Sequence, residues 1–298
     1  MRVLVIGASG QLGRALYGML KSQGNEVIGT YNTGAKSDIK LDITDYVHLE
    51  DLIIKSRPDV IINCAAMTDV DGCEVDRKRC YAINAEAVRH MARVSRVVGS
   101  YLIHVSTDYV FDGEKGMYRE EEEPNPVNYY GLAKLLGEAY ALSYDYSIVI
   151  RTSGVYSGHK SNFPRFVIEM LSKGQQVNAI EDSWYSPIHS MQLAQAIAEL
   201  IVQRKTGILN IAGSRVSRYD FALKIAEAAG LPKELVRPVK LSEMKWKARR
   251  PRDSSLDVSK ASSYLSSRFY DLTTGIRLLV EETRQLGLIK GFSQSQIT

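Results

Sequence analysis

Three stretches of this sequence place a tyrosine four residues before a lysine, a spacing that puts a phenol and an amine on one face of a helix. The pairs are Tyr17 with Lys21, Tyr130 with Lys134, and Tyr156 with Lys160. A phenol can donate a proton to a carbonyl oxygen, but its ordinary pKa of about 10 makes it a weak acid, and a neighbouring ammonium group stabilises the phenolate. The spacing indicates acid–base chemistry without selecting one pair, so the surrounding residues must decide.

A glycine pattern stands at the first junction between a predicted strand and a predicted helix. The segment GASGQLG contains Gly7, Gly10 and Gly13, after the strand at 2–6 and at the start of a helix over 12–24. A tight turn, close approach of a diphosphate to the backbone, and tight packing of helix on strand each require a residue without Cβ. The free N–H groups at the helix start favour an anion. The segment therefore predicts a dinucleotide-binding turn.

The end of the second predicted strand bears on the choice of dinucleotide. Folds that bind NAD usually carry an acidic residue there to hold the ribose hydroxyls. This chain has no carboxylate until Asp38, whereas Arg14 and Lys36 could pair with a phosphate. We expect NADPH, with NADH as the alternative.

Strands and helices alternate regularly through the first half of the chain. Predicted strands at 2–6, 26–31, 59–66, 101–107 and 147–154 are separated by helices near 12–24, 46–56, 78–99 and from 128. This order is typical of right-handed βαβ units on a parallel sheet. We predict an α/β protein, with a Rossmann-type doubly wound parallel sheet over residues 1–154. Residues 155–298 mainly form a smaller α/β substrate-binding lobe, from which about 190–213 return to the main sheet.

Composition limits the function classes. The chain has 298 residues, 45% of them hydrophobic, and a net charge of +4, too small an excess for a dedicated nucleic-acid binder. Cys64, Cys73 and Cys80 are odd in number and lack Cys-x-x-Cys spacing, which favours a reducing compartment and no zinc site. No stretch approaches the ~20 apolar residues of a membrane span. We expect a cytoplasmic protein with no nucleic-acid or membrane partner.

Four segments in combination resemble the extended short-chain dehydrogenase/reductase superfamily: GASGQLG (7–13), NCAAMTDVDGCE (63–74), STDYVFDG (106–113) and YYGLAK (129–134). Within it the sequence is most similar to the dTDP-4-dehydrorhamnose reductase family. That similarity continues through IRTSGVY (150–156) and, more loosely, RRPRDSSLD (249–257).

The resemblance selects one tyrosine and lysine and adds their partners. It implies that Tyr130 is the general acid and that Lys134 stabilises the phenolate and binds the nicotinamide ribose. Thr107 would orient the substrate carbonyl, and Asp108 would contact the sugar. Ser106 is the alternative to Thr107, because neighbours in a strand point to opposite faces and only one can serve.

The resemblance also implies a set of cofactor contacts. Besides Tyr130 and Lys134, they are Gly7, Gly10, Gln11, Leu12, Gly13, Asp42, Ile43, Ala65, Ala66 and Thr68. For Asp42, contact with the adenine competes with a role at a helix N-terminus, which Asp45 could also fill.

The implied reaction is NADPH-dependent reduction of a nucleotide-linked 4-keto-6-deoxy sugar, most closely dTDP-4-dehydro-L-rhamnose to dTDP-L-rhamnose. In the basic segment KWKARRPR (245–252), Arg250 and Arg252 are the candidates to bind the diphosphate, with a solvated surface as the alternative. Gly154 stands where the rhamnose-forming enzymes usually have a tryptophan. A homodimer is compatible with the resemblance. A divalent cation could assist the diphosphate, although no carboxylate cluster indicates a metal site.

Two other functions compete with this one. The sequence is also similar to the regulatory β subunit of methionine adenosyltransferase, a cofactor-binding protein that turns over no sugar. An epimerase or dehydratase is disfavoured, because dehydratases of this superfamily carry an acidic pair after the threonine, whereas Asp108 is followed here by Tyr109.

Overall fold

The computed structural model of the protein describes residues 1–34 and 36–289. The strands are β1 (Arg2–Ile6), β2 (Glu26–Tyr31), β3 (Ile39–Lys40), β4 (Val60–Asn63), β5 (Tyr101–Thr107), β6 (Ser147–Thr152), β7 (Val177–Ile180), β8 (Trp184–Tyr185), β9 (Gly207–Asn210), β10 (Val216–Ser217) and β11 (Val236–Val239). The helices are α1 (Gln11–Ser22), α2 (Tyr46–Ser56), α3 (Val70–Val75), α4 (Arg77–Tyr81), α5 (Ala87–Val98), α6 (Tyr129–Leu142), α7 (Phe163–Ser172), α8 (Ser190–Gln203), α9 (Arg218–Ala229), α10 (Ser259–Tyr264) and α11 (Leu272–Gln285).

A parallel sheet with the strand order β3-β2-β1-β4-β5-β6-β9 runs through the described part of the chain. The chain begins in the middle at β1, adds β2 and β3 on one side, and then crosses over to add β4 to β6 on the other. In such a sheet the crevice at the carboxyl ends of the strands, next to the crossover, binds ligands. The predicted Rossmann-type doubly wound fold is confirmed.

Both faces of this sheet are covered by helices, as expected for a strand as continuously apolar as RVLVI. Successive residues of β1 serve opposite faces: Val3 and Val5 pack into one core with α1 and α8, and Leu4 and Ile6 into another with α2 and α5. All four side chains are fully buried, and each such burial stabilises the fold by about 1.5–3 kcal/mol.

A third core lies in the second half of the chain. It joins α7, α9 and α11 through side chains such as Val167, Phe221 and Leu279. Two short sheets flank it, one pairing β7 with β11 in parallel and the other pairing β8 with β10 antiparallel. Between these elements the chain goes back to the first sheet: β9 pairs with β6, from Ile148 opposite Gly207 onward, and α8 packs against α1.

The helix predicted over 78–99 is present from Arg77 to Val98, with a π-helical turn at Ala82–Glu86 between α4 and α5. Inside this turn the side chain of Asn84 accepts a hydrogen bond from the backbone N–H of Met67 and donates one to its carbonyl, at 2.9 and 3.0 Å. A side chain that binds backbone groups in this way competes with regular helix. The turn brings the Asn84 carbonyl against α6, where a Cβ on Gly137 would lie 2.3 Å from it.

The acidic run at 120–123 is only partly the solvated loop that its composition suggests. Glu120 is buried, and its carboxylate accepts a hydrogen bond from the backbone N–H of Asn210 at 2.9 Å. This contact attaches the loop to β9. Among residues 1–34 and 36–289, no helix combines the length and the apolar composition needed to cross a membrane.

Candidate active site

A cleft of about 1370 Å³ opens at the carboxyl ends of β1, β4, β5 and β6. One wall comes from the turns that follow these strands. The other comes from the second half of the chain, where the lining residues include Gly154, Val155, Ser157, Lys160, Trp184, Tyr185, Trp246, Arg250 and Ser254. The cleft thus lies between the main sheet and the third core.

The glycine turn forms the floor of this cleft at the start of α1. Gly7 has a φ of +81°, and a Cβ there would lie 2.9 Å from the backbone nitrogen of Ala65. A Cβ on Gly13 would lie 2.2 Å from the Gly7 carbonyl oxygen, so α1 packs directly on the turn. The N-cap residue Gly10 makes no side-chain capping bond, and Gln11 follows it along the cleft wall. The turn fits a diphosphate next to bare backbone and a helix N-terminus.

Asp38, the first carboxylate after β2, is not free to hold the ribose hydroxyls. Asp38 is already engaged: its two oxygens accept hydrogen bonds from the Gly29 backbone N–H at 2.7 Å and from the Tyr17 hydroxyl at 2.8 Å. Arg14 lines the cleft near residues 32–34, whereas Lys36 does not. This arrangement fits a 2′-phosphate better than two free ribose hydroxyls.

Most of the other predicted cofactor contacts also line the cleft: Leu12, Asp42, Ile43, Ala65, Ala66 and Thr68. Gly13 does not, since its role is to pack α1 against Gly7. The structure gives Asp42 and Asp45 different positions. Asp45 is the N-cap of α2, accepting from the His48 N–H, while Asp42 accepts from the N–H and hydroxyl of Thr44 at 2.9 and 2.7 Å. These bonds hold the pKa of Asp42 below its ordinary value.

Tyr130 and Lys134 lie at the bottom of the cleft on the first turn and a half of α6, which begins after the N-cap Asn128. The exposed fractions of their side chains are 9% and 2%. Burial raises the pKa of Tyr130, which a hydrogen bond with Thr107 partly opposes. Burial lowers the pKa of Lys134 to about 8, against the attraction of Glu138. The Lys134 amine donates to the Val105 carbonyl at 2.6 Å.

The other two tyrosine–lysine pairs have different surroundings. Tyr17 and Lys21 contact each other on the surface beside Asp38. Tyr156 is buried in the third core, away from the cleft, and Lys160 is exposed. Of the three pairs, only Tyr130 and Lys134 are both buried and both line the cleft.

The hydrogen-bond partners of the two hydroxyl groups distinguish Ser106 from Thr107. Ser106 donates to Glu138 at 2.5 Å, within a buried group that includes Arg151. Thr107 donates to Asp108 at 3.0 Å and accepts from the Tyr109 N–H at 3.2 Å. The Thr107 hydroxyl is therefore the one beside Tyr130.

Asp108 is itself buried beneath the cleft wall. Its second carboxylate oxygen accepts hydrogen bonds from Ser153 at 2.7 Å and from Ser254 at 2.5 Å. Burial nevertheless raises the pKa of this carboxyl group, because desolvation of the charge outweighs the three hydroxyl donors. The bond to Ser254 also connects the end of β5 to the segment that contains the arginines.

The two predicted diphosphate-binding arginines occupy different places. Arg250 lines the cleft, stacks at 4.9 Å over the ring of Trp246 and donates to Asp71 at 3.0 Å. Arg252 is exposed and does not line the cleft; its guanidinium lies 5.9 Å from the ring centre of Trp184.

Sequence reasoning missed Arg218 as a site residue. Arg218 starts α9, lines the cleft and lies 4.6 and 5.4 Å from the ring centres of Tyr185 and Phe163. Among the described residues it forms no ion pair with a carboxylate. No local motif marks it, because β10 brings it to the site by pairing Val216 with Tyr185.

Tyr185 also accounts for the glycine at position 154. Gly154 has a φ of +49°, and a Cβ there would lie 2.6 Å from the Tyr185 ring. The phenol ring therefore occupies the space beside this position. Burial raises the pKa of Tyr185 to about 12, and its hydroxyl has no hydrogen-bond partner among the described residues.

No group of three or more His, Cys, Asp or Glu side chains that could hold a metal ion occurs in residues 1–34 and 36–289. Around the glycine turn, the cleft brings together the Tyr130 phenol, the Lys134 amine and the Thr107 hydroxyl. These features define a Rossmann-type oxidoreductase that uses a nicotinamide cofactor.

Comparisons with known proteins agree with this class. The model of the RmlD substrate binding domain family matches residues 1–285. A solved hypothetical dTDP-4-dehydrorhamnose reductase from Sulfolobus tokodaii is 54% identical, with a TM-score of 0.86 over 92% of this chain and 99% of that one. The Bacillus anthracis dTDP-4-dehydrorhamnose reductase in complex with NADP is 30% identical, with a TM-score of 0.87 over 94% and 99%.

Curated relatives extend the range of functions. The probable low-salt glycan biosynthesis reductase Agl14 of Haloferax volcanii is 36% identical over 89% of this chain and 92% of its own. The β subunit of bovine methionine adenosyltransferase 2 is 31% identical over 87% and 81%. The chain belongs to the dTDP-4-dehydrorhamnose reductase family of NADP-dependent oxidoreductases.

Proposed function

We propose that the protein reduces the 4-keto group of a nucleotide-linked 6-deoxy sugar with NADPH, converting dTDP-4-dehydro-L-rhamnose to dTDP-L-rhamnose. The observation that carries the proposal is the meeting of Thr107, Tyr130 and Lys134 in one cleft, next to the glycine turn. A regulatory protein would need the cleft but not a buried acid beside a carbonyl-orienting hydroxyl.

Gly7, Gly10 and Gln11 would hold the diphosphate of the cofactor, and Arg14 its 2′-phosphate. When bound, NADPH supplies the hydride. Tyr130 donates its proton to the carbonyl oxygen of the substrate, which becomes the hydroxyl of the product, and the phenolate left behind is stabilised by Lys134 in its charged form. Because burial raises the pKa of Tyr130, the phenol stays protonated until the carbonyl oxygen becomes basic.

Thr107 would orient the carbonyl from the side opposite Asp108. Its single hydroxyl hydrogen is held by Asp108 in this structure, so a bound carbonyl competes with that carboxylate for it. Asp108, fixed by Ser153 and Ser254, would accept a hydrogen bond from a sugar hydroxyl.

The substrate's diphosphate requires positive charge on the other wall of the cleft. Arg218 and Arg250 supply it; among the described residues Arg218 forms no ion pair with a carboxylate, although the charge of the buried Asp108 acts on it. A guanidinium held by aromatic stacking presents a fixed fork to phosphate oxygens. Arg252 contributes only to the positive surface potential around the mouth of the cleft.

The test is to incubate the purified protein with NADPH and dTDP-6-deoxy-L-lyxo-4-hexulose, to follow NADPH consumption, and to identify the sugar product by NMR. We expect consumption with dTDP-L-rhamnose as product, and slower consumption with NADH. No consumption, despite tight NADPH binding, would reject this proposal.

That second outcome would favour a regulatory subunit that binds NADP without turnover. The specific observation in its favour is the similarity to the bovine methionine adenosyltransferase β subunit, over most of both chains. Co-purification with a catalytic partner that responds to the protein would then be the deciding experiment.

We also propose a cytoplasmic homodimer. The three cysteines are free, as expected in a reducing compartment. Leu132 and Leu136, one turn apart on α6, are 41% and 37% exposed and would form part of the dimer contact. Light scattering of the wild type and of Leu136→Lys measures the assembly, and added EDTA shows whether a divalent cation contributes.

A further inference from the structure

Behind Lys134, on the side away from the cleft, lies a histidine that the proposed reaction does not use. His104 sits in the middle of β5 and is fully buried. Its ring nitrogens face two polar side chains: Nδ1 is 3.2 Å from the amide nitrogen of Asn63, and Nε2 is 3.5 Å from the amine of Lys134. The three groups form a buried chain that ends at the cofactor cleft.

The direction of the first contact follows from a backbone hydrogen bond. The side-chain oxygen of Asn63 accepts from the Ala65 N–H at 3.1 Å, so the amide NH₂ of Asn63 must point at His104. An NH₂ group only donates, and Nδ1 of His104 therefore accepts. In a neutral ring the hydrogen is then on Nε2.

That hydrogen points at the amine of Lys134. A neutral amine has one lone pair to accept from Nε2–H and can donate to the Val105 carbonyl, which lies 2.6 Å away. An ammonium group has three hydrogens and no lone pair, so it would place a donor against a donor at His104. The hydrogen-bond donors and acceptors around Lys134 therefore match the uncharged amine, whereas the charged amine leaves the Nε2–H of His104 facing another donor.

The charged and titratable groups around Lys134 do not reverse this balance. From α6 the carboxylate of Glu138 attracts the ammonium, but it is already paired with Arg151 at 2.7 Å. Cys64 and Cys80 face the amine from the loop after β4 and from α4. Burial raises the pKa of Cys64 to about 12, whereas the contact with Cys73 lowers the pKa of Cys80, so only the Cys80 thiol adds to the attraction of Glu138 for the ammonium.

Desolvation acts in the same direction on both members of the pair. It lowers the pKa of Lys134 to about 8 and that of His104 well below its ordinary value. The absence of Cβ at Gly137, where one would lie 3.3 Å from Nε2, lets α6 pack closely over the ring.

We propose that, at alkaline pH, His104 is a positioning residue that holds Lys134 in its uncharged form until the cofactor arrives, so that NADPH binding makes Lys134 take up a proton. The inference rests on the proposed role of Lys134 at the nicotinamide ribose. Lys134 then turns from the ring towards the cleft and carries the positive charge that stabilises the Tyr130 phenolate.

The test measures protons, not turnover. NADPH is titrated into the protein by calorimetry in buffers with different heats of ionisation, at pH ~9, about one unit above the pKa of Lys134. The 2′-phosphate, with a second pKa of about 6, is fully ionised there and contributes nothing. We expect the wild type to take up close to one proton per NADPH, and Lys134→Met to take up none.

Two variants of His104 distinguish its contact with Asn63 from its contact with Lys134. His104→Asn keeps a polar atom near Asn63 but ends short of Lys134, and His104→Gln places an amide oxygen within reach of the amine. Both remove the Nε2–H donor, so the resting lysine is already charged and proton uptake falls at least twofold. The matched control is His189→Gln, another fully buried histidine, bonded to Glu282 at 3.3 Å, which leaves proton uptake unchanged.

Unchanged proton uptake in either folded His104 variant would overturn the proposal. So would the absence of uptake by the wild type, a result that does not depend on any variant folding. No sugar is present, so a failure here is distinct from a failure of the reductase assignment, which shows only in turnover.

Discussion

Tyr17 with Lys21 and Tyr130 with Lys134 have the same four-residue spacing on two helices, yet the pKa values of the two lysines shift in opposite directions. The first pair lies on the surface of α1, where the lysine contacts the phenol directly and its pKa is raised by that contact. The second pair is buried at the cleft, where the lysine binds the Val105 carbonyl and its pKa is lowered to about 8. We therefore propose that burial, not spacing, makes Tyr130 and Lys134 a proton-transfer pair.

The largest effect should come from removing the buried phenol. Tyr130→Phe deletes the proton donor with almost no change in shape, and a positioned acid is worth ~10²- to 10⁴-fold in rate. We expect kcat to fall by that factor in steady-state assays. Tyr17→Phe is the control on the other pair and should keep the wild-type kcat; equal losses in both would remove the distinction between the pairs.

Removing the neighbouring hydroxyl should have a smaller effect. Thr107→Val loses one hydrogen bond to a carbonyl that is gaining charge, and we expect a decrease in kcat of about 10- to 100-fold. Ser106→Ala disturbs the buried Glu138 and Arg151 pair, so it should lower the melting temperature and leave kcat near the wild-type value. A reversed pattern would assign the catalytic hydroxyl to Ser106.

Lys134 and Lys21 should also differ in their effect on the free energy of unfolding. Lys134 has a lower pKa folded than unfolded, so the unfolded chain binds more protons between pH ~8 and ~10.5, and unfolding free energy rises with pH across that window. Below it the charged lysine destabilises the fold. We expect Lys134→Met to increase the free energy of unfolding by about 1–3 kcal/mol at pH ~7 in urea titrations and to flatten the rise.

The exposed partner provides the comparison. Lys21→Met should leave the free energy of unfolding and its pH dependence as in the wild type. A destabilised Lys134→Met protein would mean that the bond to the Val105 carbonyl outweighs the cost of burying the charge.

We expect the smallest effect from two buried tyrosines, Tyr156 and Tyr185, which both pack edge-on against Phe221. Neither hydroxyl has a hydrogen-bond partner among the described residues. Tyr185 lines the cleft and Tyr156 does not. Tyr185→Phe should raise the KM for the sugar nucleotide about 3- to 10-fold, the value of one neutral hydrogen bond. Tyr156→Phe should leave KM unchanged. Equal KM values would place Tyr185 outside the sugar contacts.

The parts of this site that the sequence predicts are those built from contiguous residues. The glycine turn is readable because one strand, one turn and one helix supply all three glycines. Tyr130 could be chosen because YYGLAK (129–134), at the start of α6, and STDYVFDG (106–113), at the end of β5, are segments that resemble the family.

On the other wall the basic segment suggested Arg250, but Arg218 and the placement of both arginines could not be predicted, because distant segments build this wall. Arg218 meets Tyr185 only through the pairing of β10 with β8, and Arg250 is placed by Asp71, 179 residues away. Neither contact leaves a local pattern. The π-helical turn inside the helix over 78–99 could not be predicted for a related reason, since the bonds of Asn84 to Met67 are tertiary contacts that override regular helix.

Titration of the lysines themselves tests the central claim most directly. Protein labelled with ¹³C at the lysine ε carbons is followed by NMR across the alkaline pH range, with Lys134→Met and Lys21→Met to assign the two signals. We predict that Lys134 titrates near pH 8 and Lys21 above the ordinary lysine value. If both titrate together at the ordinary value of about 10.4, burial has not changed the buried pair, and the account of its reactivity is contradicted.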